Sequence, residues 1–268
     1  MDISFVILNY KSKGLLKNCL KSLIRAGRND LRYEIIVVDN NSGDGIRQML
    51  QSNFSDVIFI QNERNSGMGG GNNLGLRQAR GKYAAILNPD TMVIDDAFKK
   101  LFDFMEAHPR VGIAGPQAIN PDGQFQHTRC RFHRFLTPVY RRTSLRHLGP
   151  VRRRLDLFLT KDIDYGTATK ADWLFGFCLF ARREVLERVG GFDERFFLGF
   201  EDTDLCRQVW QAGWEVWYCP AARLIHYPHR FSDERGWFLG LNKPTVRIHI
   251  ASWLKYFWKY RANPYKIT

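Results

Sequence analysis

Apolar and polar positions along this chain fall into short blocks of two alternating kinds. Ile3 to Leu8 is an apolar run but for Ser4, as expected of a strand buried on both faces of a parallel sheet. A helical stripe follows, Leu15, Leu16, Cys19, Leu20, Leu23 and Ile24, with Ser12 placed to cap it and Gly27 to end it. Ile35 to Val38 and Val57 to Ile60 read as second and third strands, Asn72 to Arg80 as a helix, and Tyr83 to Leu87 as a fourth strand. Strands and helices alternating at this spacing predict an α/β fold with a parallel sheet and right-handed crossovers. In such sheets ligands sit beyond the carboxyl ends of the strands, where Asn9, Asp39 and Asp90 fall.

The second half is less regular. Val111 to Ala118 reads as a strand, Pro121-Asp122-Gly123 as a turn, and Trp173 to Ala181 as a strand with Phe175 and Leu179 in the core. A short helix over Arg183 to Val189 leads into a Gly190-Gly191-Phe192-Asp193 turn. A helix over Asp202 to Ala212 and strands at Glu215 to Tyr218 and Arg223 to His226 complete the pattern. With no internal repeat and no low-complexity linker, a single domain is favoured.

Composition narrows the partners. Forty basic against 27 acidic residues give a formal charge of +13, so anions are expected: nucleotides, diphosphates, membrane surfaces or nucleic acid. Five cysteines, an odd number without a Cys-x-x-Cys pair, read as reduced, buried thiols of a cytoplasmic protein. The acidic start and the break of its apolar stretch at Asn9 do not fit a signal peptide. No uncharged apolar run approaches the ~18 residues that span a bilayer. A soluble or peripheral protein is expected.

Two carboxylate sites stand out, each closing an apolar segment: Leu87-Asn88-Pro89-Asp90 and, far downstream, Phe200-Glu201-Asp202-Thr203-Asp204. Such a pair suits one group that holds a metal and another that moves a proton. Asp39, with Asn40, Asn41 and Ser42, either ends its strand in a turn or accepts hydrogen bonds from a base or ribose. The glycines from Gly67 to Gly75 follow the third strand, and Asn72 occupies the place of the third glycine of a dinucleotide fingerprint. No Gly-Lys-Ser/Thr makes a phosphate loop. That segment is either a turn before a helix or a close backbone approach to a nucleotide, with Asn72 or Asn73 donating. Glu201 and Asp202 either cap a helix or supply a general base.

In order, Val38-Asp39-Asn40-Asn41-Ser42, the Asn65 to Asn73 segment, Asn88-Pro89-Asp90, Phe200 to Asp204 and Leu224-Ile225-His226 resemble the inverting glycosyltransferases of family 2, over roughly residues 3 to 232. The resemblance implies the GT-A fold, a mostly parallel central sheet flanked by helices. It implies a domain over 1–235, divided into a nucleotide-sugar half (1–118) and an acceptor half (119–235), and an amphipathic extension over 236–268. It implies a base read by Asp39 and Asn41, with Asn9 and Tyr10 flanking base or ribose, and Gly67, Gly69, Asn72 and Asn73 beside the nucleotide or sugar. Asn88-Pro89-Asp90 would be the Asp-x-Asp segment of metal-dependent members. Asn88 removes one charge, which leaves Asp90 as the carboxylate ligand of Mg²⁺ or Mn²⁺, with His226 completing the site and His229 and Ser232 nearby. Asp202 would be the base, Glu201 would orient it or bind acceptor, and Asp204 would cap the helix. Trp173, Gly176 and Phe177 would line the acceptor and sugar pocket.

The closest likeness in motif is to rhamnosyltransferase-type members, which use dTDP-rhamnose to build bacterial surface polysaccharides on lipid carriers; a UDP-hexose or UDP-N-acetylhexosamine donor is the alternative. A non-catalytic basic binding protein is disfavoured, because Asp39, Asp90, Asp202 and His226 are all present. A nucleotidyltransferase is disfavoured by Asn9-Tyr10-Lys11-Ser12 after the first strand, where a glycine-rich basic loop is expected. An acid-free tract, within a basic insertion over about 124–165, carries nine arginines from Arg129 to Arg154. It reads as a solvated insertion or as a docking surface for anionic headgroups or a lipid diphosphate. Nucleic acid comes last, since no recognition motif accompanies it. The Ile248 to Arg261 segment, with Trp253, Phe257 and Trp258, lies in a membrane interface or packs back onto the domain.

Overall fold

A computed structural model describes residues 1–26, 30–227 and 243–262. Gly27, His229 and Ser232 fall outside them. The strands are β1 (Ile3–Asn9), β2 (Tyr33–Asp39), β3 (Ile58–Gln61), β4 (Tyr83–Leu87), β5 (Thr91–Val93), β6 (Val111–Ile119), β7 (Arg129–Cys130), β8 (Thr169–Lys170), β9 (Trp173–Leu174), β10 (Cys178–Arg182) and β11 (Glu215–His226). The helices are α1 (Lys13–Ala26), α2 (Ile46–Asn53), α3 (Gly67–Leu76), α4 (Ala97–Ala107), α5 (Thr137–Arg142), α6 (Gly149–Phe158), α7 (Arg183–Val189), α8 (Glu201–Gln211) and α9 (Pro244–Lys259), with a 3₁₀ turn over Ser144–His147.

The main sheet runs β3-β2-β1-β4-β10-β6-β11-β5, with β8 added on β11. Its N-terminal half is parallel; β10 then inserts antiparallel between β4 and β6. Period-two alternation explains why the central strands are apolar throughout. Ile3, Phe5 and Ile7 of β1 face a core packed by α1, α2 and α4, whereas Val6 and Leu8 face α3. On β10, Cys178 and Phe180 join the first core, while Leu179 and Ala181 meet α7 and α8. All five cysteines are buried free thiols.

Several expected elements differ, each for a local reason. Ile24 of α1 is exposed and Ser22 is buried in its stead, its hydroxyl donating to Cys19 O (2.8 Å) and accepting from Val93 N–H (3.0 Å). The Trp173 to Ala181 strand is broken at Phe175-Gly176-Phe177, because Gly176 turns its N–H to Asp202. The two last strands are one, β11, with a register shift between Cys219 and Arg223. The basic tract folds: Arg129 is fully buried, bonded to Thr160, Thr169 and the Ile163 and Asp164 carbonyls, and stacked 4.3 Å from the Tyr165 ring centre. Arg131 makes a two-pronged pair with Asp162 (2.9 and 2.7 Å). These two arginines hold the insertion together and are not part of a basic face.

The C-terminal helix packs back onto the domain. Tyr256 and Tyr260 cluster with Phe196, and Lys259 pairs with Asp193 (2.8 Å) and Asp204 (2.7 Å). Asp204, expected as a helix cap, is buried and also accepts from Tyr260 Oη (2.7 Å). Its role is to moor α9. Trp253 donates to Phe135 O (3.0 Å), which joins α9 to the insertion, so α9 is a wall of the domain.

Candidate active site

The carboxyl edge of the parallel strands carries two groups of side chains. In the first, β1 and β2 end in register at Asn9 and Asp39. Asp39 is buried, yet Oδ1 accepts from Asn9 Nδ2 (3.0 Å), and Oδ2 accepts from Ser42 N–H (3.1 Å) and Gln61 Nε2 (3.0 Å). Burial pushes its pKa up, but the hydrogen bonds from Ser42, Asn9 and Gln61 outweigh burial and lower it. It is a fixed carboxylate at a strand end. Tyr10 and Asn41 are exposed beside it; Asn41 is left-handed (φ 62°), its amide donating to Glu63 O (3.1 Å).

The glycine-rich segment departs from expectation. It is the first part of α3 and not a loop, and its glycines serve packing. A Cβ on Gly67 (φ 77°) would lie 2.3 Å from Phe197 O, and one on Gly71 would lie 2.4 Å from Leu8 Cδ1. A Cβ on Gly69 would lie 3.2 Å from Phe192 Cβ. Asn72 Nδ2 donates to Met68 O (3.0 Å). Asn73 accepts from Phe192 N–H (2.9 Å) and donates to Phe192 O (2.9 Å) and Glu194 (3.0 Å). Gly67, Gly69 and Asn73 position the 190–197 segment, while Asn72 bonds within its own helix and its Oδ1 is buried with no partner among the described residues.

In the second group, the turn after β4 meets the end of β11. Asn88 N–H donates to Phe177 O (2.9 Å), Tyr227 N–H to Asp90 O (2.8 Å), and His226 Nε2 stands 3.7 Å from Asp90 Oδ1. Gln126, which the sequence reading missed, settles the histidine's tautomer. Its Nε2 donates to Asn120 Oδ1 (2.7 Å) and His226 O (2.9 Å), so its Oε1 is the acceptor facing His226 Nδ1 (2.8 Å). Nδ1 therefore carries the proton and the Nε2 lone pair points to Asp90. Burial drops the His226 pKa to about 4, keeping the imidazole neutral. A basic nitrogen and a carboxylate side by side are suited to hold a divalent cation, and among the described residues no larger cluster of His, Cys, Asp and Glu forms.

Glu201 and Asp202 open α8 after Phe200, whose backbone is left-handed (φ 73°). Asp202 Oδ2 accepts from Gly176 N–H (3.0 Å), and Oδ1 from Thr203 N–H (2.7 Å) and its hydroxyl (3.3 Å). A Cβ on Gly176 would crowd Asp202 Cβ at 3.2 Å, which explains a glycine there. Burial, then the neighbouring Asp202, raise the Glu201 pKa to about 8; burial also raises that of Asp202. With three donors around it, Asp202 carries the charge while Glu201 keeps its proton.

A cavity of about 410 Å³ joins the second group to this pair: Asn88, Asp90, Phe177 and His226 line it together with Trp173, Gly176, Glu201 and Asp202. Asn9, Tyr10, Asp39 and Asn41 lie outside it along the same edge. Phe175, expected in the core, faces the cavity, as do His133, Arg141, Arg142, His249 and Trp253. The acid-free tract hinted at the arginines but not at their direction; nothing in the sequence marked His249.

The Glycosyl transferase family 2 model matches residues 4–190. The chain belongs to that family. It is a glycosyltransferase of the GT-A fold. It is 27% identical to the N-acetylglucosaminyl-diphospho-decaprenol L-rhamnosyltransferase of Mycobacterium tuberculosis, over 95% of this chain and 85% of the relative. It is 25% identical to the rhamnosyltransferase WbbL of Escherichia coli, over 95% and 92%. Among solved structures, GalNAc-T7 with UDP, GalNAc and Mn²⁺ superposes with a TM-score of 0.64 at 18% identity, and S. aureus TarS with 0.59 at 17%. Each superposition covers 85% of this glycosyltransferase but only 44% and 37% of those longer chains.

The Glu201 environment sets a pH dependence of stability. Folded, Glu201 holds its proton up to about pH 8; unfolded, it ionises near 4.5. Between these values the folded state binds more protons at Glu201, so this group's contribution to stability falls as pH rises from 4.5 to 8. Buried His133, His226 and His249, with lowered pKa values, contribute in the opposite sense below about pH 6.5. Glu201→Gln should therefore gain stability relative to the parent as pH rises, being more stable above pH 8 and little changed near pH 4. Urea midpoints of parent and variant across this range check it; a difference that does not change with pH would show that the side chain is not buried as a carboxylic acid.

Proposed function

We propose that the protein is an inverting, metal-assisted glycosyltransferase that moves L-rhamnose from dTDP-L-rhamnose to a hydroxyl of a glycan or lipid-linked saccharide in bacterial surface polysaccharide synthesis. The observation that carries the reading is one cavity with a buried Glu201–Asp202 pair on one wall and Asp90 beside His226 on another. Rhamnosyl transfer is inferred from the names of the two relatives above.

Asp202 accepts the proton of the acceptor hydroxyl as that oxygen forms its bond to C1. The C1–phosphate bond breaks on the opposite face, its electron pair leaves with the nucleotide diphosphate, and C1 inverts. Gly176 and Thr203 hold Asp202 ionised, and protonated Glu201 is free to donate to an acceptor oxygen. Asp90 and His226 would hold a divalent ion, Mg²⁺ or Mn²⁺ by donor type. When bound, that ion offsets charge on the departing diphosphate. Asn9, Asp39, Asn41 and Tyr10 would take the nucleoside at the neighbouring strand ends.

No helix of the described residues is long and apolar enough to cross a membrane. A peripheral position at an anionic membrane suits a lipid-linked acceptor. Arg152, Arg153 and Arg154 are exposed on α6, and Leu254 and Trp258 (67% exposed) on α9. Trp253, expected as part of that anchor, instead packs on Phe135 and lines the cavity.

Asp202→Asn should lower transfer about 10² to 10⁴-fold while donor binding and melting temperature change little, since the base acts only on the acceptor proton. Wild-type turnover on the true acceptor would place the base elsewhere.

Asp90→Ala and His226→Ala should each abolish the Mn²⁺ dependence of nucleotide diphosphate binding measured by calorimetry. Equal affinity with and without Mn²⁺ in the unchanged protein would remove the ion from the mechanism.

Co-sedimentation should show binding to anionic but not neutral vesicles, with roughly 1 kcal/mol of attraction per arginine engaged, and weakening as salt rises. Trp258→Ala together with Arg152→Gln, Arg153→Gln and Arg154→Gln should reduce it. Binding indifferent to lipid charge would sink the electrostatic part.

A further inference from the structure

Arg141 and Arg142 end α5 side by side and both line the cavity. The Arg141 guanidinium lies 5.4 Å from the Phe158 ring centre and 5.9 Å from that of Phe175, the residue before Gly176, whose N–H holds Asp202. Among the described residues neither arginine has an ion pair or a hydrogen bond, unlike Arg129 and Arg131 of the same tract. Burial, then Arg141, lower the Arg142 pKa to about 10. Two adjacent cations kept partly out of water without a counter-ion are unfavourable unless an anion joins them.

The surrounding groups match that need. His133 and His249 line the same stretch of cavity and are held neutral by burial and by these arginines. His133 Nδ1 is buried with no hydrogen-bond partner among the described residues. Neutral imidazoles can donate to an anion without adding charge. Trp253 lies beside them and stacks 4.8 Å from half-exposed Phe135, so an apolar track leads from the arginines toward exposed Leu136 and Leu254. The donor's diphosphate belongs to Asp90 and His226, on another wall.

We propose that Arg141 and Arg142, with His133 and His249, form a subsite for the diphosphate of a lipid-linked acceptor, its lipid chain leaving along Trp253 and Phe135. The assignment rests on the glycosyl-transfer reading above and names the part of the acceptor that the site grips. Guanidinium forks match phosphate oxygens in shape as well as charge. Anchored there, the first acceptor sugar is directed to Asp202.

The test is binding, measured without turnover. A short alkyl diphosphate, inorganic diphosphate and a nucleoside diphosphate are each titrated by calorimetry against the parent protein, Arg141→Gln, Arg142→Gln, Arg142→Lys and Asp202→Asn, with melting curves to confirm folding. The parent and Asp202→Asn are expected to bind alkyl diphosphate. Each Gln variant should lose roughly tenfold to a hundredfold in affinity, and Arg142→Lys less, with the nucleoside diphosphate unaffected. No alkyl diphosphate binding by the parent would overturn the proposal. So would loss confined to the nucleoside diphosphate, or inorganic diphosphate binding as tightly as the alkyl form, which would assign the pair to donor or free phosphate. Alkyl diphosphate held through the arginines, in a protein that transfers no sugar from any nucleotide sugar, would support the subsite and refute the transfer reading.

Discussion

Two adjacent carboxyl groups buried at the start of α8 carry one negative charge between them at neutral pH, and the carboxyl edge of the sheet is organised around that limit. Desolvation penalises either ionised form, and each raises the other's pKa when charged. The protein breaks the tie with donors. Gly176 N–H and the Thr203 N–H and hydroxyl all reach Asp202, whereas Glu201 Oε2 is buried with no partner among the described residues. The break in the strand at Phe175-Gly176-Phe177 exists for this contact. So does the antiparallel insertion of β10, which brings the start of that strand to the edge where the parallel strands end.

The same edge is supplied by parts of the chain remote from one another. Asp90 follows β4, His226 ends β11, and Gln126 comes from the hairpin after β6 to orient the imidazole. β5 pairs with the end of β11, His226 opposite Thr91, which puts Asp90 next to His226. The glycines of α3 let that helix press onto β1 and onto the 192–197 segment, which leads directly to Phe200 and the acid pair. The glycine-rich segment thus packs the helix against the stretch that carries the acid pair.

Much of the parallel half was legible in the sequence, because a strand buried on both faces is mostly apolar and stands out from its flanks; Tyr83 to Leu87 matches residue for residue. The acid pair and the Asp90 turn were legible because each follows an apolar segment abruptly. What was not legible depended on direction. Arg129 and Arg141 belong to one basic tract, yet one guanidinium is sealed among Thr160, Thr169 and Tyr165 and the other faces a cavity. Composition cannot separate them, since the partners of Arg129 lie thirty or more residues downstream. Asn72 and Asn73 are ambiguous for the converse reason: an amide suits a nucleotide and a backbone carbonyl equally well, and here their side chains meet Met68 O and the Phe192 backbone.

The mooring of α9 by Asp204 and Lys259 bears on the order in which the molecule becomes competent. On the ribosome the sheet, the acid pair and the Asp90 turn all emerge before α9, which supplies His249 and Trp253 to the cavity wall. Until that helix docks, this side of the pocket is open to water and Glu201 and Asp202 are less desolvated. Asp204 meanwhile stands without its lysine. The nascent domain can therefore fold its sheet first, and the cavity is closed on this side only when α9 docks.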